Sequence, residues 1–99
     1  MSFAIFIDPR ALHDVQDAID FYETQQIGLG RKFEKEFNTF LRILEDNPFF
    51  RKRYDNVRCL PLKKYPYMIH FEVVEEMKRV IVRAVFHTSI DADKWQKRK

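Results

Sequence analysis

Only one cysteine, Cys59, stands in the 99 residues, so no disulfide can form within the chain. A lone thiol fits a reducing compartment, and a cytoplasmic location is the expectation. Glycine is almost as scarce. Gly28 and Gly30 are the only two, and they sit together. That is too little for a glycine-rich phosphate loop, and it reads as a turn. No stretch approaches the ~20 apolar residues of a membrane span. The start has no basic residue before Arg10 and a short apolar run over 3–7, so no signal peptide is expected. The three histidines, His13, His70 and His87, lack metal-ligand spacing, and neither metal nor cofactor is expected.

What the chain does have is aromatic mass. Ten phenylalanines, 15% aromatic and 45% hydrophobic residues exclude a disordered chain. A chain of this length buries roughly 60–70% of its unfolded surface, enough for one domain over 1–99. The net charge of +3 names no partner. Its distribution says more. Between 51 and 64 stand six cations (Arg51, Lys52, Arg53, Arg58, Lys63, Lys64) and one acid, Asp55, and 94–99 adds four cations. Most acids fall in the first half. Such asymmetry points to one basic surface facing an anionic partner.

The apolar run 3–7 predicts a strand with Phe3, Ile5 and Ile7 on one face. Asp8-Pro9 is a helix start, a capping carboxylate followed by a residue with no N–H to lose. Leu12, Val15, Ile19 and Tyr22 then recur at helical spacing over 9–25, and Phe33, Phe37, Phe40, Leu41 and Leu44 over 29–46. Asn47-Pro48 ends the second helix. The short glycine turn makes the pair an antiparallel hairpin. Residues 49–56 read as loop, and 57–62, 67–74 and 79–87 as three strands. A short C-terminal helix is expected over 91–97, capped by Asp91.

The last two strands can be registered. The connection 75–78 has no Gly or Asn for a two-residue turn, so a four-residue loop is predicted. That pairs Val74 with Arg79, Val73 with Val80, Phe71 with Val82 and Ile69 with Ala84, the last three pairs on one apolar face. The other face pairs Glu72 with Ile81, His70 with Arg83 and Met68 with Val85, with His87 further along. Arg58 is expected on this polar face and Cys59 on the core face. The fold expected is α+β in two layers. An N-terminal strand and an antiparallel helical hairpin combine with a mainly antiparallel four-stranded sheet, in the order β-α-α-β-β-β. The reverse face of that sheet is solvated and cationic, suited to a phosphate-rich ligand.

The stretch 58–73 runs Arg-Cys-Leu-Pro-Leu-Lys-Lys-Tyr-Pro-Tyr-Met-Ile-His-Phe-Glu-Val. The stretch 80–91 ends in His87-Thr-Ser-Ile-Asp, with Trp95 a few residues on. Together with the element order, these resemble the RelE/ParE toxins of type II toxin–antitoxin systems over essentially the whole chain. The Pro-Tyr strand and the late His…Trp pattern are closer to the ParE, plasmid-stabilisation branch. Ile90 departs from that branch, where many sequences carry arginine, and no tyrosine follows Tyr67 as in efficient RelE nucleases.

The resemblance implies a toxin neutralised by a cognate antitoxin, its target DNA gyrase if ParE-like or ribosome-bound messenger RNA if RelE-like; the third reading is an inactive member of the family serving as an interaction domain. A homodimer or a toxin–antitoxin hetero-oligomer is compatible with it. RNA cleavage needs a base for the 2′-hydroxyl, a cation for the phosphorane and an acid for the leaving oxygen. Arg58 and Arg83 are the candidate phosphate holders and His87 the candidate acid or base. Target or antitoxin contacts are expected from Arg58, Lys63, Lys64, His70, Arg83, His87 and Trp95. Trp95 either anchors a packed tail or is exposed to a partner. Ile27, Leu29, Phe49, Phe50 and Tyr54 fall outside the stripes, and some are expected to line an antitoxin groove.

Overall fold

The computed structural model describes residues 2–90 and 92–95. Helix α1 spans Pro9–Gln25, and Asp8 caps it by accepting the Arg10 N–H at 2.8 Å. Its buried face is Ala11, Val15 and Ala18, with Ile19 and Tyr22 packed alongside. Leu12 was expected in that stripe but is 52% exposed. The small alanines let α1 seat closely on the sheet, which centres the contact on them and turns Leu12 to the rim.

Helix α2 spans Leu29–Asp46 and buries Phe33, Phe37 and Leu44. Gly28 turns the chain at φ 89°, and at Gly30 a Cβ would meet the Ile19 carbonyl oxygen at 2.6 Å. The first glycine supplies a left-handed turn and the second the close helix crossing. The Glu23 carboxylate accepts the N–H groups of Gly28 and Gly30 at 2.9 and 3.1 Å, joining the helices at the turn.

The sheet has five strands where four were expected. They are β1 (Ala4–Ile7), β2 (Lys52–Tyr54), β3 (Val57–Pro61), β4 (Tyr67–Val74) and β5 (Arg79–His87), in the order β1-β5-β4-β3-β2. β1 runs parallel to β5 and the other pairings are antiparallel. The additional strand, β2, lies in the stretch read as loop. It is three residues long, too short to show a period, and Asp55 at φ 46° turns it back into β3. The expected C-terminal helix is represented by a 3-10 turn, Ala92–Lys94. Its expected cap, Asp91, and residues 96–97 lie outside the described residues.

From the β4–β5 turn, Val74 pairs with Arg79, Val73 with Val80, Glu72 with Ile81 and Phe71 with Val82, as predicted. The ladder then slips. His70 pairs with Ala84 rather than Arg83, Ile69 with Val85 and Met68 with Phe86, leaving Arg83 as a bulged extra residue. Asp14 of α1 accepts the Val85 N–H at 3.1 Å. Beyond the bulge the faces exchange. Val85, not Ala84, enters the core beside Ile69, and His87 moves to the helix side opposite Tyr67.

Candidate functional site

The core under the helices is sealed by Phe33, Ile69, Phe71, Val80 and Val82, none of them exposed. Tyr22, Tyr65 and Tyr67 gather round Phe33 with ring centroids 5.0–5.4 Å apart in their closest pairs. Burial raises the Tyr22, Tyr65 and Tyr67 hydroxyls above their ordinary range.

The reverse face was expected to be a solvated cationic surface. The structure shows something different. His70 is fully buried there, with the Trp95 ring at 4.8 Å, Phe86 at 5.1 Å and Tyr54 at 5.8 Å. The Tyr54 hydroxyl and the Cys59 sulfur stand 3.0 and 3.4 Å from its Nδ1. His70 therefore packs beneath aromatic rings and is not displayed to a partner. Cys59 also lies on this face, not the helix face, because it pairs with His70 across the ladder. Burial pushes its thiol up to about 11, outweighing the nearby Arg53 charge, so it stays protonated at neutral pH. Trp95 packs back on the sheet.

Beside this layer opens a cleft of about 360 Å³ lined by Arg10, Tyr54, Asp55, Asn56, Val57, Glu72, Arg83 and Trp95. Its floor is an alternating chain of charges. Arg83 Nε donates to Glu72 Oε2 at 2.6 Å, and Arg83 Nη1 lies 3.9 Å from Asp8 Oδ2. Arg10 donates to both Asp8 oxygens, from Nε at 3.2 Å and Nη2 at 3.0 Å. The Arg10 side-chain and backbone hydrogen bonds hold the Asp8 carboxyl at about 2, with the Arg10 and Arg83 charges adding to the effect against partial burial. With Asp55, two cations stand against three carboxylates, and the cleft has no positive field for a phosphate.

The other expected site residues lie elsewhere. Arg58 is on the helix side with Leu60, not on the reverse face. Its Nη1 donates to the Phe50 carbonyl at 3.2 Å, and its guanidinium sits 5.2 Å from the centre of the Phe49 ring. The parity that buries Leu60 carries Arg58 to the same side. His87 is also on the helix side, edge-on to Tyr67 at 5.1 Å, and its Nδ1 accepts the Ser89 N–H at 3.0 Å. Lys63 and Lys64 are exposed between β3 and β4, where the Lys64 N–H donates to Glu36 at 2.7 Å. Of the candidate catalytic trio, only Arg83 reaches the cleft.

The residues expected in an antitoxin groove are dispersed. Ile27 caps the hairpin turn at 91% exposure, Phe49 and Phe50 pack on Phe3 and Phe71, and Tyr54 is on the reverse face. The charge chain of Asp8, Arg10 and Glu72 is not visible in the sequence, where Asp8 signals only a helix cap. Nor is Asp14 visible there as the clamp on the bulge. Among the described residues, no three His, Cys, Asp or Glu side chains gather as a metal site, and no helix is long and apolar enough to cross a membrane.

This architecture is the RelE/ParE toxin fold. The chromosomal ParDE toxin–antitoxin system of P. aeruginosa superposes with a TM-score of 0.76 at 16% identity, covering 89% of this chain and 98% of that one. A double arginine-to-alanine variant of the E. coli toxin RelE, in the free state, matches with a TM-score of 0.73 at 17% identity, over 97% and 93%. The RelBE2 toxin–antitoxin complex of Mycobacterium tuberculosis gives 0.64 at 11% identity, over 88% and 99%. No curated protein sequence matches. The family model of the ParE toxin of the type II toxin–antitoxin system, parDE, matches residues 5–92, and the chain belongs to that family.

Proposed function

We propose that this toxin acts by binding rather than by catalysis, that its target is DNA gyrase, and that a cognate antitoxin neutralises it. The separation of Arg58, Arg83 and His87 carries the non-catalytic reading. RNA cleavage needs acid, base and cation around one phosphate. Here Arg83 lies on the reverse face between two carboxylates, while Arg58 and His87 lie on the helix side, each engaged with the local backbone. Membership of the parDE family supports gyrase as the target. The antitoxin is supported by similarity to the ParDE system and the RelBE2 complex.

The test is induction of the chain alone and together with its neighbouring reading frame. Growth arrest relieved by the neighbour, with SOS induction and DNA breaks, is the expected result, matched by loss of supercoiling when purified toxin meets gyrase. Arg83→Ala and His87→Gln should both keep killing if they stay folded. Messenger RNA shortened at codon boundaries, with killing abolished by both changes, would establish the nuclease instead. Unaffected growth would remove both.

A further inference from the structure

Four rings run in contact from the C-terminal part of α1 to the last residue of β5. Phe21 lies 5.3 Å from Tyr22, Tyr22 lies 6.1 Å from Tyr67, and Tyr67 lies 5.1 Å from His87. Phe21 is exposed and the other three are half-buried. The electrostatic setting is one-sided. Over 11–25, α1 carries four acids and no lysine or arginine. Burial and then the Asp17 charge raise the Tyr67 hydroxyl, and no cation opposes them. Asp17 is exposed, with the His13 imidazole at 3.4 Å, charged only when protonated. Lys32, Lys35 and Lys64 line a cleft with Tyr65 on the α2 side, and none of the four rings lines it.

Elsewhere the chain supplies its own cations to aromatic rings. The Arg79 guanidinium stands 4.9 Å from the centre of the Phe6 ring and that of Arg58 5.2 Å from Phe49. The Lys78 ammonium is 5.4 Å from Phe3, and Arg53 is 6.0 Å from Trp95. Among the described residues no cation stands over Phe21, Tyr22 or Tyr67. The Tyr22 and Tyr67 hydroxyls are open to solvent, with no hydrogen-bond partner among those residues. Aromatic faces, phenol oxygens and a carboxylate thus stand together with no lysine or arginine of the chain among them.

We propose that this chain of rings seats an arginine presented by a partner protein. A guanidinium stacks on aromatic rings and carries N–H donors for the phenol oxygens and the Asp17 carboxylate. Lysine is more strongly hydrated and offers only a point charge. A phosphate or an acidic side chain would meet Asp17 with no cation to offset it. Phe21, exposed beside Tyr22, fits an apolar neighbour of that arginine. Aromatic residues and arginine are also what the centres of protein contacts are enriched in. The contact is the same whichever protein the toxin arrests.

The test is an NMR titration of the purified toxin with an acetylated leucine-arginine-leucine amide, followed through the aromatic resonances. The control is the same peptide with citrulline, which keeps the shape and loses the charge. The arginine peptide should shift Phe21, Tyr22, Tyr67 and His87 together and saturably, and bind about two- to fivefold more tightly than the citrulline peptide. Added salt should narrow that gap. Asp17→Asn and Tyr67→Leu should each remove most of it. Phe6→Leu, whose ring already carries Arg79, should leave it unchanged. Circular dichroism checks that each variant is folded, and Asp17→Asn, a change at an exposed position, decides the matter if Tyr67→Leu is not. Equal binding of the two peptides, shifts centred on other rings, or no shift at all overturns the proposal. So does a dimer of the free chain that dissociates on Asp17→Asn, since the occupant would then be a second copy.

Discussion

The two faces of one sheet are built by different rules. Under the helices, Ile69, Phe71, Val80 and Val82 alternate along neighbouring strands and are wholly buried. On the reverse, an equally buried His70 is covered by Tyr54 and Trp95, which stand 16 and 25 residues away in sequence. The first face is a pattern within the strands, and distant segments assemble the second. The helix side is therefore the apolar bulk of the domain, while the reverse is a thin aromatic cover over polar groups.

Phe71→Ala should produce the largest effect, about 3–5 kcal/mol from lost transfer energy and the cavity left behind. It would be read as a fall in urea midpoint at unchanged slope. Trp95→Ala, on the thinner side, should cost less, about 2 kcal/mol, because the indole is only partly buried. Equal losses from the two changes would erase the distinction between the faces. Trp95→Ala should also speed alkylation of Cys59 at neutral pH, since it removes the ring over His70, against which the thiol packs. Unaltered labelling would mean the cover does not limit access.

The smallest effect concerns the charge chain. Asp8 titrates at about 2 in the fold against an ordinary value near 3.8. A depressed carboxyl stabilises the fold at pH above its unfolded value, and that contribution fades as pH falls from 3.8 towards 2. Asp8→Asn keeps a capping oxygen but removes the charge. Its acid unfolding should therefore be shallower than the parent's across that window, measured by circular dichroism. An identical acid profile would show that the Arg10 and Arg83 pairings do not contribute to stability.

The helices were legible because a 3.6-residue period, a capping Asp-Pro and the glycine turn all agree on the same limits. The hairpin register was legible from the turn as far as Phe71 and Val82. It failed beyond them because the bulge is fixed by distant partners. Asp14 comes from α1, and Glu72 and Asp8 draw Arg83 outward. No local period encodes such contacts. The side of Arg58 could have been read from Leu60, two residues away on the same strand. The cover over His70 could not, since it depends on where the chain brings Tyr54 and Trp95.

The bulge at Arg83 also makes the length of β5 a constraint in itself. Upstream of it, even-numbered residues face the helices. Downstream, odd-numbered residues do. Removing one residue at this point would restore an unbroken ladder and close the same core, since Val85 would take the place of Ala84. The arginine would then be gone from the cleft and the Asp14 carboxylate left without its amide. The strand thus carries a deliberate miscount that gives the reverse face of the sheet a charged side chain without opening the oily interior.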